Sequence, residues 1–228
     1  MRKFSALLVL FFASLLAQAQ PSGDLQTVLN LMDRTAATLR TVQTDFAWDD
    51  YQRVVDTHDF QKGVMYFSRS PKKEVQMAAE IKDPTQKYVL FKGGTVRVYE
   101  PKIDQVTVYD ISKNKADFQS FLVLGFGGAG SELPKNFDVR YAGTEQVAGV
   151  TAYKLELTPK SQSVRNNFPL ITLWIDRDRG IAVQQRFDQG GGNYRLAQYS
   201  NIKLNPKLPD SVFSLKTTDK TRTVRPQG

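Results

Sequence analysis

From Asp45 to Leu204 the chain reads in steps of two, and that rhythm restricts the folds open to it. Gly63 to Arg69 alternates and is stopped by Ser70-Pro71. Lys87 to Phe91 follows, Gly93-Gly94 turns the chain into Thr95 to Tyr99, and Glu100 to Asp104 turns it again into Gln105 to Tyr109. Further runs are expected at Asp138 to Tyr141, Thr144 to Val147, Thr151 to Thr158, Leu170 to Asp176, Ile181 to Asp188 and Tyr194 to Leu204. Gly149-Val150, Asp178-Arg179-Gly180 and Gly190 to Asn193 mark the turns between them. Short alternating runs joined by turn residues predict an antiparallel meander whose alternate side chains face opposite sides. Val75 to Asp83 is read as a loop.

Two segments break the rhythm. Leu25, Val28, Leu29, Met32, Ala36 and Leu39 recur at helical spacing, with Gln26, Asn30, Asp33, Arg34 and Arg40 on the other side. Ser22 or Asp24 caps this helix, and Thr41 to Thr44 ends it. Asp117 to Leu124 places Phe118, Phe121, Leu122 and Leu124 on one side of a short apolar helix, and Gly125 to Gly130 reads as a flexible loop. That glycine run lacks the Lys-Ser/Thr of a phosphate loop and follows no parallel strand, which argues against nucleotide binding.

The start of the chain has the order of an export signal. Arg2-Lys3 precedes the apolar run Ala6 to Ala17, and Ala17-Gln18-Ala19 supplies a cleavage pattern, so 1–19 reads as a signal peptide and 20–228 as a single domain. An uncleaved anchor is the alternative. With no cysteine, the chain has no thiol nucleophile, zinc ribbon, redox motif or lipid-modified N-terminus. The formal charge of +8 suits a solvated basic surface or an anionic membrane, and its cations alternate with anions instead of forming the stripe that nucleic acid needs. The single histidine, His58, falls in a polar turn, Asp56 to Asp59, and no second base is available for a hydrolytic triad. Asp176 and Asp178 sit where aspartates cap turns. No enzyme, metal or cofactor is expected, and the chain is expected to be a monomer.

A flat sheet and one helix leave 14 Phe, 9 Tyr and 2 Trp with too little cover. Curling the sheet into a barrel or part-barrel solves this, and its interior is then either filled by side chains or left as an apolar chamber. Strand face and apolarity nominate Phe46, Met65, Phe67, Val89 and Phe91 as interior residues, with Val106, Leu122, Leu155, Leu173 and Ile175. Met65, Phe67 and Arg69 lie at i, i+2 and i+4, which sets a guanidinium beside apolar neighbours. Arg69 must find carbonyls or a carboxylate there, or reach water at the strand end.

The ordered set Asp45-Phe46, Gly63 to Pro71, Phe91 to Pro101, Asp104 to Val106 and Leu208 to Phe213, after an amphipathic helix, resembles the periplasmic outer-membrane lipoprotein carrier family LolA. The resemblance implies an α+β fold that is mainly β: a curved antiparallel sheet forming an incomplete barrel closed by a helical lid. It implies carriage of acylated lipoproteins, received from an inner-membrane ABC-type complex and passed to an outer-membrane acceptor. It also implies that Arg69 ties the lid, including Phe118, Phe121 and Leu122, to the barrel. In the family pattern proline follows that arginine directly, whereas here Ser70 intervenes. A carrier of another lipid, glycolipid or apolar precursor, and an envelope-stress sensor, are the other readings of such a sheet.

Overall fold

The alternating runs pair into one sheet of twelve strands. The computed structural model describes residues 22–70, 72, 74–114 and 122–226, so the run 1–19 read as a signal peptide and the residues Phe118 and Phe121 lie outside the described part. After helix α1 (Ser22–Thr38) come β1 (Thr41–Gln52), β2 (Thr57–Arg69), β3 (Val75–Asp83), β4 (Lys87–Lys92), β5 (Thr95–Glu100) and β6 (Gln105–Asp110). The second series is β7 (Phe137–Val147), β8 (Val150–Pro159), β9 (Leu170–Asp176), β10 (Ala182–Gly190) and β11 (Asn193–Leu204), with a short final strand β12 (Arg222–Val224). The order across the sheet is β12-β6-β5-β4-β3-β2-β1-β11-β10-β9-β8-β7. Two meanders are thus joined where β1 pairs with β11, from Val42 opposite Leu204 to Tyr51 opposite Tyr194. The outermost strands, β7 and β12, do not pair with each other, so the curved sheet is an open part-barrel.

Several local expectations are revised. Val75 to Asp83 is strand β3, paired with both β2 and β4. It escapes the alternation test because both faces are covered: Ala79 packs inward beside Met65, and Ala78 packs outward against Phe213. Thr41 to Thr44 opens β1 and does not close the helix, because α1 stops at Thr38 and Leu39 turns inward. His58 is also on a strand, opposite Tyr51, with Nδ1 2.7 Å from Asp49 Oδ1. The two runs from Asp138 and Thr144 are one strand bent by an irregularity between Tyr141 and Thr144. Finally, β12 joins β6 in parallel, Arg222 opposite Gln105, in an otherwise antiparallel sheet.

The inner face carries two apolar clusters. Under β1 to β4, Phe46, Met65, Phe67 and Phe91 pack with Leu39, Ile81 and Tyr199. Under β8 to β10, Leu155, Leu157, Ile171, Leu173 and Ile175 pack against Val28, Leu29 and Met32 of α1. The outer face has its own cover. After β11 the chain crosses the back of the sheet, seating Phe213 with Leu208, Val212 and Leu215 against Tyr66, Ala78 and Leu90. It then docks at the edge, where Arg222 N–H donates to Asp104 O at 3.0 Å and Thr221 Oγ1 donates to Asp104 Oδ1 at 2.7 Å.

This packing can be tested at two buried positions. Phe213→Ala removes the anchor of the crossing segment and is expected to lower stability by about 3 kcal/mol in urea unfolding, since buried Phe→Ala changes cost about that much. Asp176 is buried and caps the turn before Ile181: burial raises its carboxyl pKa, but bonds from Arg179 and the amides of Asp178 and Arg179 outweigh this and hold it below its ordinary 3.8. Because the folded value is the lower one, the turn stabilises the fold above the unfolded pKa and loses that contribution as pH falls below it. In Asp176→Asn, urea midpoints measured at neutral pH and at low pH should therefore lie closer together than in the unsubstituted chain.

Candidate ligand-binding site

An unclosed sheet cannot cover its own inner face, so other segments must. Here α1 covers one half. A strap from Leu122 to Gly130 runs along the junction between the two halves, burying Leu124 and Phe126. The glycine-rich run read as a flexible loop is therefore largely buried. Phe126 meets the ring of Tyr199 edge-on, centroids 4.5 Å apart, within the cluster that holds Phe46, Met65 and Phe67.

The backbone of the strap has partners on both sides. Ala182 N–H donates to Gly125 O at 2.8 Å. Gln185 Nε2 donates to Leu124 O, and Tyr199 OH donates to Gln185 Oε1 at 2.9 Å, so a buried chain of two side chains holds the carbonyl two residues before Phe126. Burial pushes the Tyr199 phenol far above its ordinary range, so it stays neutral and remains a donor. On the other flank Arg69 Nη2 donates to Gly127 O at 2.7 Å. Gly127 has φ +80°, and a side chain there would also press on Leu39. At Gly130 the strap lies against the Leu29 backbone so closely that a Cβ would overlap it, while Ser131 donates through N–H and Oγ to Asp33 Oδ1 at 3.1 and 3.0 Å. The helix and the strap are thereby tied together.

Arg69 is half-buried. Its guanidinium lies over the Phe67 ring, 5.6 Å from the centroid, and has no carboxylate partner among the described residues. Burial, and then the neighbouring Arg40 charge, lower its pKa from the usual value, which means that the cation is disfavoured where it stands. Arginine does not deprotonate in response, so the Gly127 carbonyl and the aromatic face are what compensate it. Beside it opens a cleft of about 630 Å³ between α1, Val75, the strap and Phe137.

The nominated interior residues divide among three places. Phe46, Met65, Phe67 and Phe91 lie together, with Val89 and Leu122 packed against them. Leu155, Leu173 and Ile175 belong to the separate cluster beneath α1. Val106 is a correction: it pairs with Tyr99, which pairs with Tyr88 and so with Glu80, all on the outer face, and it lies under the C-terminal segment. The run Gln105 to Tyr109 alternates weakly, Val106 and Val108 falling on one parity and Thr107 and Tyr109 on the other, so composition leaves its face unmarked. Sequence reasoning also missed Phe126, Gln185 and Tyr199. One signal existed for Gln185, a polar residue with apolar Val183 and Phe187 two positions to either side.

An open, curved antiparallel sheet wound around an N-terminal helix, with its apolar face covered by a hydrogen-bonded strap, is a container whose cover is separate from its wall. The family described as outer membrane lipoprotein carrier protein LolA matches residues 37–216, and the chain belongs to it. It is 24% identical over 218 residues to an outer-membrane lipoprotein carrier protein of Legionella pneumophila strain Paris, covering 95% of each chain. It is 25% identical over 218 residues to one from Chromohalobacter salexigens, covering 94% of this chain and 92% of the relative. Among solved structures, an uncharacterized conserved protein from Thermus thermophilus superposes with a TM-score of 0.57 at 14% identity, covering 89% of this chain and 99% of that one. The Pseudomonas aeruginosa MucA/MucB complex gives 0.51 at 18% identity, covering 84% of this chain and 61% of that chain; these likenesses establish the fold. No helix among the described residues is long and apolar enough to cross a membrane.

Gln185→Leu leaves Leu124 O and the Tyr199 hydroxyl without their partner inside the core, a loss of about 1–3 kcal/mol. Urea unfolding should show that loss, and limited proteolysis should cut the strap faster. Unchanged protection of the strap would remove Gln185 from its attachment.

Proposed function

We propose that this chain is a periplasmic carrier that shields the acyl chains of lipoproteins against the inner face of its sheet. In this reading it takes them from an inner-membrane ABC-type complex and delivers them to an outer-membrane acceptor. The observation that carries the proposal is the strap: Phe126 occupies an apolar seat among Phe46, Met65, Phe67 and Tyr199, yet its segment is held by a few bonds at its flanks. Family membership supports the class of cargo, and the cleft beside Arg69 supports an entrance at that end.

Magnitudes favour a detachable cover. An acyl chain gains about 0.8 kcal/mol for each methylene taken from water, so a dozen methylenes in a rigid site would bind with roughly 10 kcal/mol and leave slowly. Cargo that displaces Phe126 gives back about 1.5–3 kcal/mol of aromatic burial. It also breaks the Arg69 and Gln185 bonds; a bond from a charged donor contributes about 1.5–3 kcal/mol, and the half-exposure of Arg69 favours the lower end. The loaded state is therefore less stable than the acyl burial alone implies, which makes transfer to an acceptor possible. Carriage needs no covalent bond to be made or broken, and the role of each residue is to bind or to cover.

The test is a titration with a triacylated lipopeptide and with the same peptide lacking acyl chains. Binding of only the acylated form is expected. Arg69→Leu destabilises the empty, covered state and should hold the lipopeptide about tenfold more tightly, passing correspondingly less to acceptor vesicles. Transfer at the ordinary rate would remove Arg69 from the mechanism. Equal binding of the bare peptide would end the proposal, and recovery of a free lipid or glycolipid from the purified protein would redirect it to another cargo.

A further inference from the structure

The β1–β2 hairpin ends in a turn that departs from ordinary turn chemistry. Turns favour glycine, asparagine, aspartate and proline, yet Val54 and Val55 occupy the centre of this one, 92% and 65% exposed. Strand β3 pairs with β2 only as far as Lys62 opposite Asp83. Residues 57–61 and the turn therefore run on past that end of β3, by about 17 Å for the five residues at about 3.4 Å each. Phe60, on the same hairpin, and Ile103, on the β5–β6 turn at the same end of the sheet, are also exposed.

What stands behind the valines is ordered by depth. About 7–10 Å back along the strands, Tyr51 lies between His58 and Tyr194, with ring centroids 4.7 and 5.1 Å away. Arg53 packs against the glycine turn 190–192, so close that a Cβ on Gly192 would overlap its Cδ. It makes no ion pair among the described residues. The acids nearby are bonded: Asp49 to His58, Asp50 to Arg195, Asp56 to the Tyr51 hydroxyl, Asp59 to Gln61 and Asp188 to Arg186. Within the turn itself, Arg53 balances Asp56. Bare aliphatics foremost, amphipathic rings next and a free guanidinium beside them reproduce the layers of a lipid surface, from acyl chains to phosphates. A groove on a protein would accept the valines but gives no reason for rings at headgroup depth.

We propose that the β1–β2 tip docks the protein on a lipid surface, Val54 and Val55 entering the acyl boundary while Tyr51, His58 and Tyr194 rest among the headgroups. Attachment of this size is weak and reversible, since two valines bury less than one myristoyl chain, which alone holds only marginally. The cleft beside Arg69 lies at the opposite end of β2, so docking leaves it open. Docking is thus independent of the cargo, and either can fail without the other. Purified protein is mixed with phosphatidylcholine vesicles at millimolar lipid, and partition is read by co-sedimentation at low and high salt.

Binding that salt hardly changes is expected, because the charges of the turn cancel. Val54→Asp/Val55→Asp should lower partition about tenfold or more. Val54→Trp should raise it severalfold, with tryptophan emission that shifts to the blue on vesicles and is quenched by lipid brominated on its acyl chains. Both valines are exposed, so the urea midpoints of these variants should match that of the unsubstituted chain. Any of four results would overturn the inference: no partition by the unsubstituted chain or by Val54→Trp, equal partition by the aspartate variant, binding to anionic vesicles alone that salt abolishes, or self-association that the aspartate variant removes while vesicles are ignored. The last would assign the tip to a second copy of this chain.

Discussion

An apolar face on an open sheet has to be covered by something that is not a strand, and the molecule is organised around that requirement. A closed barrel would meet it with its own circumference. Here β7 and β12 stay apart, and the face is shared between α1 and the strap from Leu122 to Gly130. Burial of Val28, Leu29 and Met32 on one side and of Phe126 on the other comes from the same deficit of wall. Because cover and wall are different segments, no strand pairing runs through the cover. In a filled, closed barrel the same side chains would form a permanent core.

How the cover is attached matters as much as what it hides. Leu124, Gly125 and Gly127 each present a carbonyl to a donor outside the strap, two from side chains and one from the backbone of Ala182. An arginine with no carboxylate partner among the described residues is an expensive donor to keep half-buried, and its like-charged neighbour Arg40 adds to the cost. A cation compensated by one carbonyl and one aromatic ring is balanced closely enough for a modest change in surroundings to move it. The Tyr199–Gln185 pair is the opposite case, neutral and wholly enclosed, and its strength does not depend on salt.

Much of the wall was legible in the sequence. Runs from Gly63 and Thr151 alternate because one side is buried and the other partly exposed, while those from Lys87, Thr95 and Leu170 were marked by β-branched and aromatic content and by bounding turns such as Gly93-Gly94 and Asp178 to Gly180. Strand β3 was not legible, since Ala78 and Ala79 are both covered and leave no alternation to read. Val106 was assigned to the wrong side because its own run is ambiguous; its position became clear only through pairing with Tyr99. The shared side of Met65, Phe67 and Arg69 follows from spacing alone. By contrast, the partner of Arg69 is a backbone oxygen 58 residues away, and a carbonyl carries no side-chain signature. Phe126 looked like part of a glycine-rich linker because glycines usually mean freedom, whereas Gly127 and Gly130 permit close approach.

The C-terminal segment acts as a hoop. It leaves β11 beside Thr41, whose Oγ1 donates to Pro206 O at 2.7 Å, crosses behind β2, β3 and β4, and is stitched to the far edge at Asp104. A sheet bound across its back in this way resists flattening, since straightening would stretch the hoop or strip Phe213 from its seat. The curvature of the first six strands is thereby braced from behind, by a segment that joins neither apolar cluster of the concave side.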